Sequence, residues 1–307
     1  MLKFNWKRLG LVSGLSLALF AAGCGAAEEE ETDTGSTDTN EETEQSSSVE
    51  GQEIELAYVE WDTEVASTNV IGKVLEDLGF DVKLTGLDNA VMWEAVANSE
   101  ADGMVAAWLP GTHAAQFEEY GDQVVDLGPN LEGAAIGLVV PSYMDVDSIA
   151  DLEGQANQTV TGIEPGAGVV AASEQALEDY ENLEGWEVQT SSSGAMATAL
   201  GEAYENEEEI IVTGWSPHWK FQAYDLKYLE DPEGTFGEAE TINTMVREGL
   251  EEDMPEAYQV LDNFNWTPAD LESIMFDINQ GADVEEAAAT WVEENSDRVA
   301  EWTEGIE

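Results

Sequence analysis

The sequence contains one pattern of strands and helices twice, and each copy ends in a tryptophan two residues before a proline. The third apolar run of the first copy ends in WLP at Trp108, and that of the second ends in WSP at Trp215. In each copy, apolar runs alternate with amphipathic stretches and predict the order β-α-β-α-β. Strands that alternate with helices form parallel sheets with both faces covered. The duplication therefore predicts an α/β fold of two similar lobes with parallel-rich sheets and a ligand cleft between them.

Each copy is followed by a further apolar strand, AIGLVVP after the first and TINTMVR after the second. These strands are natural crossovers between the lobes, and the segments SIADL and EAYQVLDNF that follow them are expected to be helical. They predict a first lobe of residues 51–133 plus 242–307, which includes C-terminal helices, and a second lobe of residues 134–241. Trp291 and Trp302 recur at helical spacing in the C-terminal segment and are expected in the core.

The N-terminus predicts an export signal over residues 1–23. A basic head precedes an apolar run from Leu9 to Phe20, which is shorter than the ~20 residues that span a bilayer. The run ends in AAGC, which resembles the lipobox of bacterial lipoproteins and implies acylation of Cys24. We therefore expect a lipid anchor on the outer face of the cell membrane; the alternative is a secreted protein with an isolated cysteine.

Composition indicates the nature of the surface and of the segment that follows Cys24. Residues 24–50 are rich in acids and almost free of apolar side chains, which predicts a disordered tether. The chain has 9 basic and 67 acidic residues, a formal net charge of -58. Such a charge excludes nucleic acid and anionic lipid surfaces as partners. It also suggests a saline environment, in which salt screens the carboxylates.

Three tryptophans follow or end predicted strands, where open parallel sheets bind ligands. Trp61 follows the first strand of the first copy, and Trp108 and Trp215 end the third strands. Indole faces are the preferred side-chain surface for quaternary ammonium groups, which cannot donate conventional hydrogen bonds. The three rings therefore predict an aromatic cage for a trimethylammonium group.

The first strand of the second copy ends instead in the loop GIEPGAG, directly before a helix. The free backbone N–H groups of a helix start suit an anion. His113, five residues after Trp108, could add a side-chain donor. A site that binds a cation at one end and an anion at the other predicts a compact zwitterionic ligand.

Five segments closely resemble the glycine betaine-binding lipoproteins of ABC importers for osmoprotectants: LAYVEWDTEVASTNVIGKVLEDLGF, AAWLPGTH, GLVVPSYM, GIEPGAG and TGWSPHW. The resemblance implies a bilobal periplasmic-binding-protein fold (type II-like) that closes around its ligand without catalysis, cofactor or metal. It also implies an ABC permease and its ATPase as partners. Matched by motif, Trp61, Trp108 and Trp215 correspond to the family's aromatic cage. Gly168 and Val169 correspond to its carboxylate-binding amides, and His113 to its carboxylate-binding imidazole.

Several alternatives remain open. Proline betaine, carnitine or choline could be the ligand, although choline lacks the carboxylate that the glycine loop would bind. An extracellular esterase would need Ser216 as nucleophile, and a purely structural surface lipoprotein would need no ligand. Trp219 is expected to pack behind the cage, and the remaining aromatic candidates are interpreted as structural or core residues: Trp93, Trp186, Trp266 and His218.

Overall fold

The computed structural model describes residues 49–306. The proposed signal peptide (residues 1–23), Cys24 and all but the end of the proposed tether lie outside the described residues. Within them, Val49 is already buried against the core, and the N–H of Gly51 donates to the carbonyl of Gly79. No helix in this part of the chain has the length and apolar character needed to cross a bilayer.

The first copy of the repeat contains three strands and two helices in alternation. They are Glu53–Tyr58 (β1), Asp62–Asp77 (α1), Asp81–Gly86 (β2), Asn89–Ala97 (α2) and Gly103–Leu109 (β3). Strand β1 lies between β2 and β3 and is parallel to both. Every residue of β3 is buried, as expected for a central strand covered on both faces.

The long crossover strand Val124–Pro141 (β4) follows the helix Ala114–Tyr120 (α3) and a single 3-10 turn. Its first part pairs antiparallel with β9 (Glu240–Arg247), which also pairs with β3. From Ala135 onward it pairs with a strand of the second copy. The crossover expected at AIGLVVP is therefore the second part of a longer strand.

The second copy repeats the architecture of the first. Its elements are Thr159–Thr161 (β5), Gly168–Asp179 (α4), Glu187–Gln189 (β6), Ser193–Glu205 (α5) and Ile211–Ser216 (β7). Strand β5 lies between β6 and β7, parallel to both, and β7 pairs with β4. The strand order β2-β1-β3-β9-β4-β7-β5-β6 confirms the α/β fold of two similar units, with antiparallel crossover strands between them.

The remaining helices are short or C-terminal. They are Lys220–Ala223 (α6), Leu250–Asp253 (α7), Pro255–Asn263 (α8), Pro268–Asn279 (α9), Val284–Glu294 (α10) and Ser296–Trp302 (α11); the strand Leu226–Tyr228 (β8) pairs with β4. Trp291 and Trp302 stack 5.8 Å apart in the core, as predicted. Three further tryptophans expected in the core are also buried: Trp93, Trp186 and Trp266.

Two local expectations were wrong. The sequence predicts a helix over STNVIGKVLEDLGF, where apolar residues recur at helical spacing from Val70, but helix α1 already begins at Asp62, five residues before Ser67. Two acids in its first turn, Asp62 and Glu64, suit the positive end of the helix dipole and extend the helix toward the cleft. The segment SIADL, expected to be helical, forms only the 3-10 turn Ile149–Asp151.

Candidate ligand-binding site

One cavity is lined by all three tryptophans of the predicted cage. Trp61 is the residue that precedes α1, Trp108 lies near the end of β3, and Trp215 near the end of β7. In both copies the proline after the third strand follows a cis peptide bond, at Leu109–Pro110 and at Ser216–Pro217. The fold thus brings to one place three indoles that are up to 154 residues apart in the sequence.

The cavity is small and its walls are almost entirely apolar. It contains about 260 Å³ of space between atoms, and this figure includes space that is open to solvent. The rings expose 5% or less of their surface. The other lining residues come from both copies and from the segments that join them: Thr112, Ile136, Ile163, Gly168 and Val169.

Carboxylates fix the edges of two cage indoles. The indole N–H of Trp108 donates to Glu64 Oε1 at 2.7 Å, and that of Trp61 donates to Glu164 Oε1. Glu64 is 1% exposed. Burial raises its pKa to about 7, because desolvation disfavours the carboxylate more than the hydrogen bonds from Thr63 and Trp108 favour it.

The third indole, Trp215, has different neighbours. His218 packs edge-on against it, with ring centroids 4.6 Å apart. The Nζ atom of Lys220 lies 4.1 Å from the Trp215 ring centroid, and the lysine is fully buried. Burial lowers the pKa of Lys220 well below its usual value, although the charge of Asp62 acts in the opposite direction. Within the described residues, the indole nitrogen of Trp215 has no hydrogen-bond partner.

The start of helix α4 provides the donors expected for an anion. Gly168 and Val169 are its first residues and line the cavity. No described residue accepts a hydrogen bond from the backbone N–H of either. A Cβ atom on Gly168 would lie 2.3 Å from the carbonyl oxygen of Thr112, so only glycine permits this close approach.

His113 is not among the residues that line the cavity, but it contacts Trp61, which does line it. Its ring stacks on Trp61 with centroids 5.7 Å apart, and its Nδ1 accepts the backbone N–H of Trp108 at 3.0 Å. Full burial lowers the pKa of His113 to about 3, so the imidazole is neutral at neutral pH. Because Nδ1 accepts a hydrogen bond, the proton of the neutral ring is on Nε2. This Nε2 has no partner among the described residues and is a free donor.

A second carboxylate network joins the two copies next to the cage. Asp62 accepts hydrogen bonds from Ser193 Oγ at 2.9 Å and from the indole of Trp219 at 2.7 Å. Its Oδ2 also lies 3.5 Å from Nε2 of His218. Burial alone would raise the pKa of Asp62, but the nearby imidazole of His218 and the hydrogen bonds from Trp219 and Ser193 hold it below its usual value.

The positions of the other candidates follow from this network. Trp219 is buried, does not line the cavity and contacts His218, with ring centroids 5.3 Å apart. His218 is fully buried between Trp215 and Asp62. The hydroxyl of Ser216 pairs with Tyr228 at 2.8 Å, and no described histidine is hydrogen-bonded to it. An activated serine requires such a base, so this geometry gives the esterase alternative no support.

Four charged residues around the cage escaped the sequence analysis: Asp62, Glu64, Glu164 and Lys220. Asp62 and Glu64 lie one and three residues after Trp61. Among 67 acids, however, no pattern separates them from solvated carboxylates. Residues 49–306 contain no cluster of three or more His, Cys, Asp or Glu side chains that could hold a metal ion.

Known proteins are similar to most of the described part of the chain. A family model described as the substrate-binding domain of ABC-type glycine betaine transport systems matches residues 52–294. The glycine betaine/carnitine transport binding protein GbuC of Listeria monocytogenes serotype 1/2a (strain 10403S) is 48% identical over 175 residues, 57% of this chain and 57% of that protein. The chain thus matches a little over half the length of this curated relative.

Two crystal structures are similar over most of the chain. Lactococcal OpuAC, in its closed-liganded conformation with glycine betaine, is 57% identical with a TM-score of 0.81, covering 82% of this chain and 100% of that one. The glycine betaine/L-proline-binding protein ProX of Borrelia burgdorferi is 34% identical with a TM-score of 0.79, covering 82% and 96%. The chain belongs to the family of substrate-binding domains of ABC-type glycine betaine transport systems.

Proposed function

We propose that this protein captures glycine betaine outside the cell and delivers it to an ABC permease driven by a separate ATPase. The observation that carries the proposal is the single cavity lined by Trp61, Trp108 and Trp215 together with the first residues of α4, Gly168 and Val169. Such a cavity pairs a surface for a methylated cation with donors for a carboxylate. Glycine betaine has both groups, one methylene apart.

The cation end is bound by the three indole faces. A desolvated contact between a cation and an aromatic face contributes about 2 kcal/mol, so three rings contribute about 6 kcal/mol. The rings are almost fully buried, which removes competing water. A quaternary ammonium group loses little by this desolvation, because it has no N–H to leave unpaired.

The anion end is bound by the backbone N–H groups of Gly168 and Val169 and by Nε2–H of His113. Each hydrogen bond to a carboxylate contributes about 1.5–3 kcal/mol. After association costs of several kcal/mol, the two ends together leave roughly micromolar affinity. Choline lacks the carboxylate and would leave these donors without a partner, so it ranks below the betaines and carnitine.

Two lobes, residues 51–133 plus 242–307 and residues 134–241, would close on the ligand. Support comes from β4, whose partner changes from β9 to β7 between Ala134 and Ala135. Hydrogen bonds also cross the cleft: Trp61 to Glu164, Ser193 to Asp62, and the Asn89 amide to the Gly166 carbonyl at 3.3 Å. Such bonds would form as the lobes meet.

The proposal includes the N-terminal segment. Residues 1–23 would direct export, and acylated Cys24 would hold the mature protein to the outer face of the membrane through the acidic tether. Family membership supports an extracytoplasmic, solute-binding role without catalysis.

Calorimetric titration of the wild-type protein with glycine betaine, proline betaine, carnitine and choline tests the proposal. We expect glycine betaine to bind with roughly micromolar affinity and to change the tryptophan fluorescence. In a His113→Ala variant, betaine affinity should fall about tenfold while choline affinity changes little, because only betaine has an anionic end. Absence of betaine binding to the folded wild-type protein would refute the proposal.

A further inference from the structure

We propose that Glu64 and Glu164 are specificity-determining residues that make the cage prefer a cationic head group over a neutral one of the same shape. The inference rests on the proposed function, because it concerns the ammonium end of that site. Neither carboxylate lines the cavity. Each acts through the tryptophan whose indole N–H it accepts.

The contacts place one carboxylate at the edge of each cage indole from the first copy. Glu64, in the first turn of α1, accepts the Trp108 N–H at 2.7 Å and is almost completely buried. Glu164, in the glycine loop before α4, accepts the Trp61 N–H from the other side of the cleft. Trp215 differs, because its indole nitrogen has no partner in the described part of the chain and Lys220 lies against its ring. Trp61 and Trp108 therefore each have a carboxylate at the N–H edge, whereas Trp215 has none in the described part of the chain.

A carboxylate at the N–H edge strengthens the cation-binding property of an indole in two ways. It polarises the N–H bond and shifts electron density toward the ring face that meets the cation. It also attracts the cation directly, and this attraction is only weakly screened in a buried site. A trimethylammonium group cannot hydrogen-bond to the carboxylate, so the charge acts across the indole.

A ligand of the same shape with a neutral head group isolates this effect. In 3,3-dimethylbutanoate a tert-butyl group replaces the trimethylammonium group, while the methylene and carboxylate are kept. Packing against the three rings is nearly the same for both compounds. The preference for betaine over this analogue therefore reports the electrostatic part of recognition.

The measurement needs Glu64 in its charged form, so the assay is made at pH 8. Burial raises the pKa of Glu64 to about 7. The carboxylate of Asp62 acts on it in the same direction, and His113, whose pKa burial lowers to about 3, is neutral. A bound cation favours the carboxylate further.

The test is calorimetric titration of wild-type, Glu64→Gln and Glu164→Gln proteins with betaine and with 3,3-dimethylbutanoate. Glutamine keeps the side-chain length and the acceptor for the indole N–H but removes the charge. We expect each variant to lose about tenfold or more in betaine affinity. Affinity for the analogue, which has a neutral head group and an anionic carboxylate, should not fall, because the variants remove negative charge and not packing, so the preference for betaine falls.

Glu60→Gln is the matched control. Glu60 is exposed and precedes Trp61, and no indole in residues 49–306 donates to it. The Glu60→Gln substitution changes the net charge by the same amount as the other two substitutions. It should leave the affinities for betaine and for 3,3-dimethylbutanoate within about twofold of wild type, because solvent screens the charge of Glu60.

Three results would overturn the inference. The glutamate variants could lose affinity for both ligands equally, they could lose affinity for neither ligand, or the control variant could lose as much betaine affinity as they do. Equal loss would mean that the carboxylates only position the rings. Thermal unfolding of each variant establishes that it is folded, and either glutamate variant alone suffices. If the wild-type protein itself does not bind betaine, the proposed function fails instead.

Discussion

The buried carboxylate of Glu64 predicts a specific dependence of stability on pH. The pKa of Glu64 in the folded protein is about 7, against 4.5 for an unperturbed glutamate. The folded state therefore binds this proton more tightly than the unfolded state does. The stabilisation from Glu64 is fully present below about pH 4.5 and is lost as pH rises through about 7.

The size of the effect follows from the difference in pKa. One pKa unit corresponds to about 1.4 kcal/mol, and the folded and unfolded values differ by about 2.5 units. Above pH 8, the charged Glu64 should therefore cost about 3 kcal/mol relative to acid conditions. The Glu64→Gln variant has no proton to lose and should not show this decline.

Chemical unfolding of ligand-free wild-type and Glu64→Gln proteins at pH 5 and pH 8, at constant high salt, measures the effect. The other carboxylates are common to both proteins, so they cancel in the difference. The variant should gain about 2–3 kcal/mol relative to wild type between the two pH values, slightly less than the full effect because unfolded Glu64 is already partly ionised at pH 5. Parallel pH profiles would refute the argument, because Glu64 would then titrate alike in the folded and unfolded states.

Three further predictions concern closure and the surface. Gly168→Ala should abolish the betaine-induced rise in the melting temperature and leave the ligand-free protein folded, because the added Cβ meets the Thr112 carbonyl at 2.3 Å; an undiminished rise would contradict this. Asp62→Ala should weaken betaine binding roughly tenfold in calorimetry through loss of the Ser193 and Trp219 hydrogen bonds, and unchanged affinity would exclude that role. Dilution from 1 M to 0.1 M salt should lower the melting temperature, since the Debye length grows from ~3 to ~10 Å around a chain of net charge -58. Indifference to salt would mean that the surface carboxylates repel one another little.

Sequence reasoning identified the repeated strand order and the three tryptophans because these features have local signals. Periodicity marks the strands and helices, and the WxP segments mark equivalent positions in the two copies. The loop before Gly168 was likewise visible from its glycines and from the helix that follows.

The charged residues behind the cage have no such signal. Glu164 accepts a hydrogen bond from Trp61, which is 103 residues away in the sequence. This contact depends on the arrangement of the two copies in the fold, which the local sequence does not indicate. In the sequence, nothing distinguishes Lys220 from an exposed lysine, although in the structure it is buried against Trp215. The start of α1 was misplaced because acids, not apolar residues, form its first turn.

The continuous strand β4 has a consequence for how the protein loses its structure. It hydrogen-bonds to β9 up to Ala134 and to β7 from Ala135, so each half of the sheet depends on the same backbone. If one half of the sheet unfolded, the other half would lose its neighbouring strand and expose a row of unpaired backbone amides to water. The two halves should therefore denature in a single cooperative step, even though each repeats the architecture of the other.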